Sequence, residues 1–395
     1  MPWTSGTVMD KRLEFIRLAE LGDLSMTQLC RRFGISRETG YVYLRRYRAS
    51  GLEGLAVRSS RPHRSPQRTS AAMEERITAL RAEHPAWGGP KLARRLKDLG
   101  VADVPAASTV TEVLRRHGKL ATVRKVPDEP LRRFARAAPN ELWQMDFKGH
   151  VAMDQGRCHP LTVLDDHSRY LIGLKACGDE TQQTVRGHLT TLFRCHGMPL
   201  AMLCDNGSPW GGSGAQGFTE LEVWLLRCGV RMYHGRPYHP QTQGKDERFH
   251  RTLKIELLQN RRITDLLSCQ PMFDRYLRVY NEERPHHALD LAVPARRYCS
   301  SVVSFPEHLA RPEYYQSDKV RRVHADGAIS FQGRRAKLSQ AFRELDVALR
   351  PDSVDGTWRV YFSRFLIARL DLRDPHTDGA ALRKASTETG HELLV

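Results

Sequence analysis

No apolar stretch in the 395 residues reaches the roughly 18 needed to cross a bilayer, so no membrane span is expected. The first residues, Met1-Pro2-Trp3-Thr4-Ser5-Gly6, hold no basic segment followed by an apolar one, so no secretory leader is expected. Cysteine is sparse: eight, at positions 30, 158, 177, 195, 204, 228, 269 and 299, with no C-x-x-C pair. That disfavours a disulfide framework and a zinc knuckle and suits free thiols in a reducing cytoplasm. Acidic charge is also short, with 45 Asp/Glu against 62 Lys/Arg. The apolar content of 40% and charged content of 27% are those of a folded globular chain. The length predicts two to four domains.

The excess of 17 positive charges is uneven. Residues 1–140 hold 27 Lys/Arg and 14 Asp/Glu; residues 141–395 hold 35 and 31. A basic front end on a near-neutral body points to a polyanionic partner, because Lys and Arg neutralise phosphates.

Residues 1–57 read as a helix-turn-helix domain. Leu13, Ile16, Leu18 and Leu21 mark one helix; Met26, Leu29, Cys30 and Phe33 mark a second, capped by Ser25. Gly34-Ile35 makes the turn, and Ser36 caps a third helix from Arg37 to Tyr47. In that unit the last helix enters the major groove, so Arg37, Glu38 and Thr39 are expected to face base edges. Residues 58–69 form a basic linker, whose Arg61 and Arg64 can lie in a minor groove. Residues 70–118 read as a second helix-turn-helix-like domain whose basic helix, from Lys91 to Leu99, offers Lys91 and Arg94 to DNA. A second linker, rich in Arg and Pro, covers 119–139.

The pattern changes at Asn140. Strands are predicted at Leu142–Phe147, His159–Asp165 and Tyr170–Lys175, followed by alternating helices and strands to a long helix from Gly244 to Leu258. Residues 140–300 therefore read as an α/β layer domain. Residues 315–373 show short strands separated by Asp326-Gly327, Gln332-Gly333 and Asp355-Gly356, which predicts a small β-barrel. Residues 374–395 read as a flexible tail.

Three acids stand at the ends of predicted elements: Asp146, Asp205 before Asn206-Gly207-Ser208, and Glu247 near a helix start opened by Gly244. Converging carboxylates suit phosphoryl transfer, in which two Mg²⁺ clamp the attacking and leaving oxygens. Helical spacing puts Glu247, His250, Arg251 and Lys254 on one face, with Asp246 about 100° away.

Trp143-x-x-Asp146, Asp205-Asn206-Gly207-Ser208 and His239-Pro240-Gln241-Thr242-x-Gly244-x-x-Glu247-Arg248 resemble the DDE motifs of bacterial insertion-sequence transposases with a retroviral-integrase-type core. Thr252-Leu253-Lys254, Tyr280-Asn281-x-x-Arg284-Pro285-His286, Gly51-Leu52-Glu53-Gly54-Leu55 and Arg58-Ser59-Ser60-Arg61-Pro62 extend the resemblance over roughly residues 10–372. The resemblance implies a multidomain α/β chain with an RNase H-like core. Asp146, Asp205 and Glu247 are then its catalytic acids and its ligands to two Mg²⁺, with Mn²⁺ able to substitute. It also implies cleavage of element 3′ ends and their direct joining to target DNA, by a homo-oligomer of at least two chains. The place of action is the bacterial cytoplasm, on nucleoid DNA. Arg248, Arg251 and Lys254 are the expected phosphate contacts on the last core helix.

Two features depart from the family pattern. Between Asp205 and Glu247 lie 41 residues, longer than usual, with the excess assigned to Trp210-Gly211-Gly212-Ser213-Gly214-Ala215. Gly40 interrupts the recognition helix, at about 1 kcal/mol relative to Ala. Asp165-Asp166-His167-Ser168-Arg169 reads as a strand-end turn, with Asp166 the substitute ligand. Arg284 and His286 are open to either DNA contact or a structural role. Two other functions fit part of the pattern: a DNA-binding regulator using only the front end, and a nuclease that cuts without joining.

Overall fold

The structure is a computed structural model that describes residues 7–57, 68–120, 135–211, 217–235, 244–259, 261–374, 382 and 384–385. Arg61, Arg64, the 239–242 segment and most of the tail lie outside the described residues. The chain divides into two compact units between Arg68 and Thr69.

The first unit holds α1 (Val8–Leu21), α2 (Met26–Phe33) and α3 (Arg37–Ser50). Ser25 and Ser36 cap α2 and α3 by accepting from the amides of Gln28 and Thr39. Phe15, Ile16, Leu29, Cys30, Leu44 and Leu55 fill the centre. Gly40 is explained here. A Cβ at this position would lie 2.8 Å from Cys30 Sγ and 2.9 Å from the Phe15 ring, so α3 needs glycine to close on α1 and α2. Its poor helix propensity is outweighed by packing. Gly40→Ala should lower the stability of this unit by about 1–3 kcal/mol through overpacking. Thermal melts of the full chain, together with DNA affinity, check this; an unchanged melt contradicts it.

The second unit begins with α4 (Ala71–Glu83), α5 (Gly89–Asp98) and α6 (Ala107–Arg116), packed around Ile77, Trp87, Leu92, Val110 and Leu114. The core sheet follows, built from β1 (Leu142–Phe147), β2 (Val151–Ala152), β3 (Arg157–Asp165), β4 (Leu171–Cys177), β5 (Ala201–Cys204) and β6 (Arg231–His234). Its order is β4-β3-β1-β5-β6, with the short β2 also paired to β3. β1 runs antiparallel to β3 and parallel to β5.

Alternation along β1 separates two layers. Trp143 and Met145 join the cluster of α7 (Gln182–His196) and α8 (Glu220–Arg227) on one face. α9 (Gly244–Leu253) and α10 (Leu266–Arg278) cover the other, packing Phe249, Leu253, Cys269 and Phe273 against Leu164, Leu171 and Leu174. Asp146, one residue after Met145, therefore faces the α9 side.

The C-terminal strands are β7 (Lys319–Arg322), β8 (Ala328–Phe331), β9 (Arg334–Lys337), β10 (Asp346–Pro351), β11 (Thr357–Phe362) and β12 (Phe365–Asp371). The expected small β-barrel is not closed among the described residues. The strands form a four-stranded sheet, β12-β11-β10-β7, and a separate hairpin, β8-β9. Four-residue strands such as β8 and β9 pair with each other and leave the ladder open. The two sheets enclose Phe331, Phe342, Val347 and Phe362, and their cluster extends to Phe218, Val223 and Leu226 at α8.

Candidate active site

Asp146 sits near the end of β1, where its Cα pairs with that of Thr162 on β3. On the other side, Leu142, Trp143 and Gln144 pair in parallel with Ala201, Met202 and Leu203 of β5. Two further residues along these strands are Asp146 and Asp205. Neighbouring parallel strands lie about 4.8 Å apart, so the ladder itself brings these two acids together at one edge of the sheet.

Asp205 is held by its own turn. Its carbonyl oxygen accepts from His234 Nδ1 at 2.9 Å, and its Oδ1 accepts from the Gly207 amide at 2.9 Å. The Asn206 side chain donates to Gly235 O at 2.7 Å, which ties the turn to the end of β6. Trp210 is buried and stacks on Phe147, with ring centroids 5.4 Å apart. The start of the long 205–247 connection is thus packed beneath the site.

Asp146 is pushed up to about 7, first by burial and then by the negative charge of Asp205. Asp246 is fully enclosed and is pushed well above the usual carboxylate range, first by burial and then by Asp146 and Asp166. Its Oδ1 is buried with no hydrogen-bond partner. Crowded carboxylates and an orphaned carboxylate oxygen are what a divalent cation would relieve, so the donor set fits one. Among the described residues, however, no three His, Cys, Asp or Glu side chains stand close enough together to hold one ion.

The helix face is the main correction. Asp246, Phe249, His250 and Leu253 turn inward, and Glu247, Arg248, Arg251 and Lys254 are exposed. Phe249 and Leu253 decide this, because their burial against the sheet carries residues three and four positions away with them. Asp246, expected to point away, is inside. His250 is separated from the exposed side on which it was expected with Arg251 and Lys254. It hydrogen-bonds Thr162 (Nε2 to Oγ1, 2.9 Å), and its Nδ1 lies 3.8 Å from Asp146 Oδ2. Burial pushes its ring down to about 4.

Asp166 does not act as a free ligand. It accepts from Gln144 Nε2 at 2.6 Å, from the Arg136 amide at 2.9 Å and from Lys245 Nζ. Lys245 is pulled down to about 8 by burial, which outweighs this carboxylate. The pair pins the start of α9 to the β3–β4 turn. Asp165 accepts from the amides of Asn140 and Ser168, each at 2.8 Å, and is structural as expected.

The basic residues divide. Arg37 and Glu38 are exposed on the first turn of α3, and Thr39 closes the Ser36 cap. On α5, Lys91 is turned to the core near Arg284 and Glu256, and burial brings it down to about 8. Arg95 pairs with Glu283 at 2.5 Å, and Arg94 with Asp98 at 3.0 Å on its own helix. Arg284 is buried on Glu256 at 3.0 Å, beside His286. Their role is internal. Sequence reasoning missed the acidic partners, Glu256 and Glu283, which lie 165 or more positions from Lys91.

Comparison with known proteins gives matches along most of the chain. Residues 318–378 match the C-terminal domain of IS481 family transposases. Residues 136–240 and 228–294 match two integrase core domains. Residues 11–63 match a helix-turn-helix domain, and 39–114 a homeodomain-like domain. An uncharacterized 39.2 kDa protein of insertion element IS476 from Xanthomonas euvesicatoria is 24% identical over 272 residues, covering 67% of this chain and 76% of its own. A 31.7 kDa protein of insertion element IS407 from Burkholderia multivorans is 26% identical over 158 residues, covering 40% of this chain and 55% of its own. Among solved structures, a simian T-cell lymphotropic virus intasome in complex with the PP2A regulatory subunit B56 gamma aligns at a TM-score of 0.38 and 13% identity. That alignment covers 72% of this chain and 91% of the other.

Proposed function

We propose that this chain, a DDE polynucleotidyl transferase of the insertion-sequence transposase type with an integrase core, binds the terminal inverted repeats of its element, cleaves their 3′ ends and joins them to target DNA. The observation that carries this reading is the parallel register of β1 and β5, which delivers Asp146 and Asp205 to one edge of the sheet. Glu247, on the neighbouring helix, is the proposed third acid. Together these residues would hold two Mg²⁺, with Mn²⁺ as a substitute. The ions would supply an activated water or 3′-hydroxyl and a stabilised leaving oxyanion.

The chain's own groups do the rest. Asp146 is fixed by its pairing with Thr162 on β3 and Asp205 by its turn, so both are oriented before DNA arrives. Lys245 on Asp166 sets where α9 begins. Exposed Arg248, Arg251 and Lys254 take phosphates, and Arg37 and Glu38 read base edges in the first unit. Lys91 drops out of this proposal, because it is turned to the core, while Arg94, paired only with Asp98 on its own helix, remains a proposed DNA contact. Residues 1–57 and 140–300 are proposed as the DNA-reading and catalytic domains, working as a homo-oligomer of at least two chains on nucleoid DNA in the cytoplasm.

DNA from both flanks of the gene should be nicked and joined to a target in Mg²⁺ or Mn²⁺, and chelation should stop both reactions. Nicks without joined products would favour the nuclease. Binding with no metal-dependent cutting would favour the regulator.

A further inference from the structure

We propose that His250 supplies a ring nitrogen to the divalent cation held at Asp146. The inference rests on the reading of Asp146 as a metal ligand.

The hydrogen bonds fix the ring's tautomer. The Thr162 hydroxyl has one proton and donates it to the Asp146 carbonyl oxygen at 2.9 Å. His250 Nε2 lies 2.9 Å from the same Thr162 oxygen. That oxygen can only accept from the ring, so Nε2 carries the hydrogen and Nδ1 keeps its lone pair. Nδ1 faces Asp146 Oδ2 across 3.8 Å, and the side chain is only 11% exposed.

No hydrogen bond spans that gap. Two acceptors facing each other away from water repel, and a cation between them satisfies both. The separation also suits one. With metal–donor bonds of about 2.1 Å, two donors of one ion lie roughly 3.0 Å apart at a right angle and 4.2 Å apart when opposite. The observed 3.8 Å lies less than 1 Å from the right-angle separation, a gap that a small side-chain rotation closes when an ion binds. Two protein donors can suffice for such an ion when water and substrate phosphate fill the remaining positions.

Helix geometry supports the assignment. The burial of Phe249 and Leu253 turns His250 inward, towards Asp146 and away from the exposed Glu247. Asp246 is four residues before His250 on the inward side, and its unpartnered Oδ1 is a further oxygen on that side of the helix. A nitrogen donor shifts the preference of an otherwise all-oxygen site from Mg²⁺ and Ca²⁺ towards Mn²⁺ and Co²⁺.

The test is pulsed EPR of Mn²⁺ bound to the full chain, read for nitrogen modulation. Wild type should show bound Mn²⁺ coupled to one imidazole nitrogen, and Asp146→Asn should remove that Mn²⁺. His250→Gln should keep Mn²⁺ bound about tenfold more weakly, without the modulation. Asp146-dependent Mn²⁺ with no nitrogen coupling would overturn the inference and leave the wider reading standing. Coupling that persists in His250→Gln would overturn it as well. If wild type binds no Asp146-dependent Mn²⁺, the ligand reading of Asp146 fails and takes the inference with it. The wild-type spectrum decides even if a variant folds poorly.

Discussion

Asp146→Asn, Asp205→Asn and Glu247→Gln should each abolish the joining of DNA ends while leaving DNA bound. Each change keeps the size of the side chain and removes one negative charge from the proposed cation site. Losing one such electrostatic partner costs on the order of a thousandfold in rate. DNA affinity should hold, because the exposed cations, Arg248, Arg251 and Lys254 among them, remain. Joining assays run beside gel-shift titrations check both halves. Glu247→Gln is the sharpest of the three, because Glu247 is the exposed member. Retained joining there, with loss at the other two, would remove Glu247 from the site and turn attention to the inward-facing Asp246.

The second large effect concerns stability without metal. Asp146 titrates near 3.9 in an unfolded chain and near 7 in the folded one. Between those values the folded state holds a proton that the unfolded state has released. Stability in chelator should therefore fall as pH rises from about 4 to 7 and stay low above that. The shift corresponds to about 4 kcal/mol at most, at 1.36 kcal/mol per pH unit. Asp146→Asn removes this penalty. It should melt higher than wild type at pH 8 and equally at pH 4. Divalent cation at pH 8 should raise the wild-type melt and leave the variant unmoved. Asp246, raised in the same direction, leaves a residual slope in the variant. A flat wild-type profile in chelator would sink this prediction.

Local chemistry made much of this protein legible before any coordinates. Ser25 and Ser36 announce their helices because a hydroxyl three residues before an amide closes a cap. β1 announces itself because the apolar Leu142 and Trp143 lead into Asp146. Asp205-Asn206-Gly207 marks a strand end. Other features depend on contacts between distant residues. α10 contains Pro271, which ordinarily argues against a helix interior, yet packing of Phe273 and Cys269 holds it. The side on which α9 buries its residues turns on Phe249 and Leu253 meeting the sheet, and spacing alone cannot fix that rotation. The charges of α5 look like a DNA surface until Glu283 and Glu256 arrive from far along the chain. Closure of the C-terminal sheets also depends on distant edges meeting.

The parallel pairing of β1 with β5 has a consequence for sequence drift. The spacing between Asp146 and Asp205 is measured out by main-chain hydrogen bonds, which almost any strand-forming residue can make. Exchange among aliphatic residues at Leu142, Ala201 or Leu203 keeps the two acids in step, whereas inserting or deleting one residue in either strand puts them out of phase. A lineage carrying this fold can rewrite most of both strands and keep its chemistry, provided it changes letters and never their number.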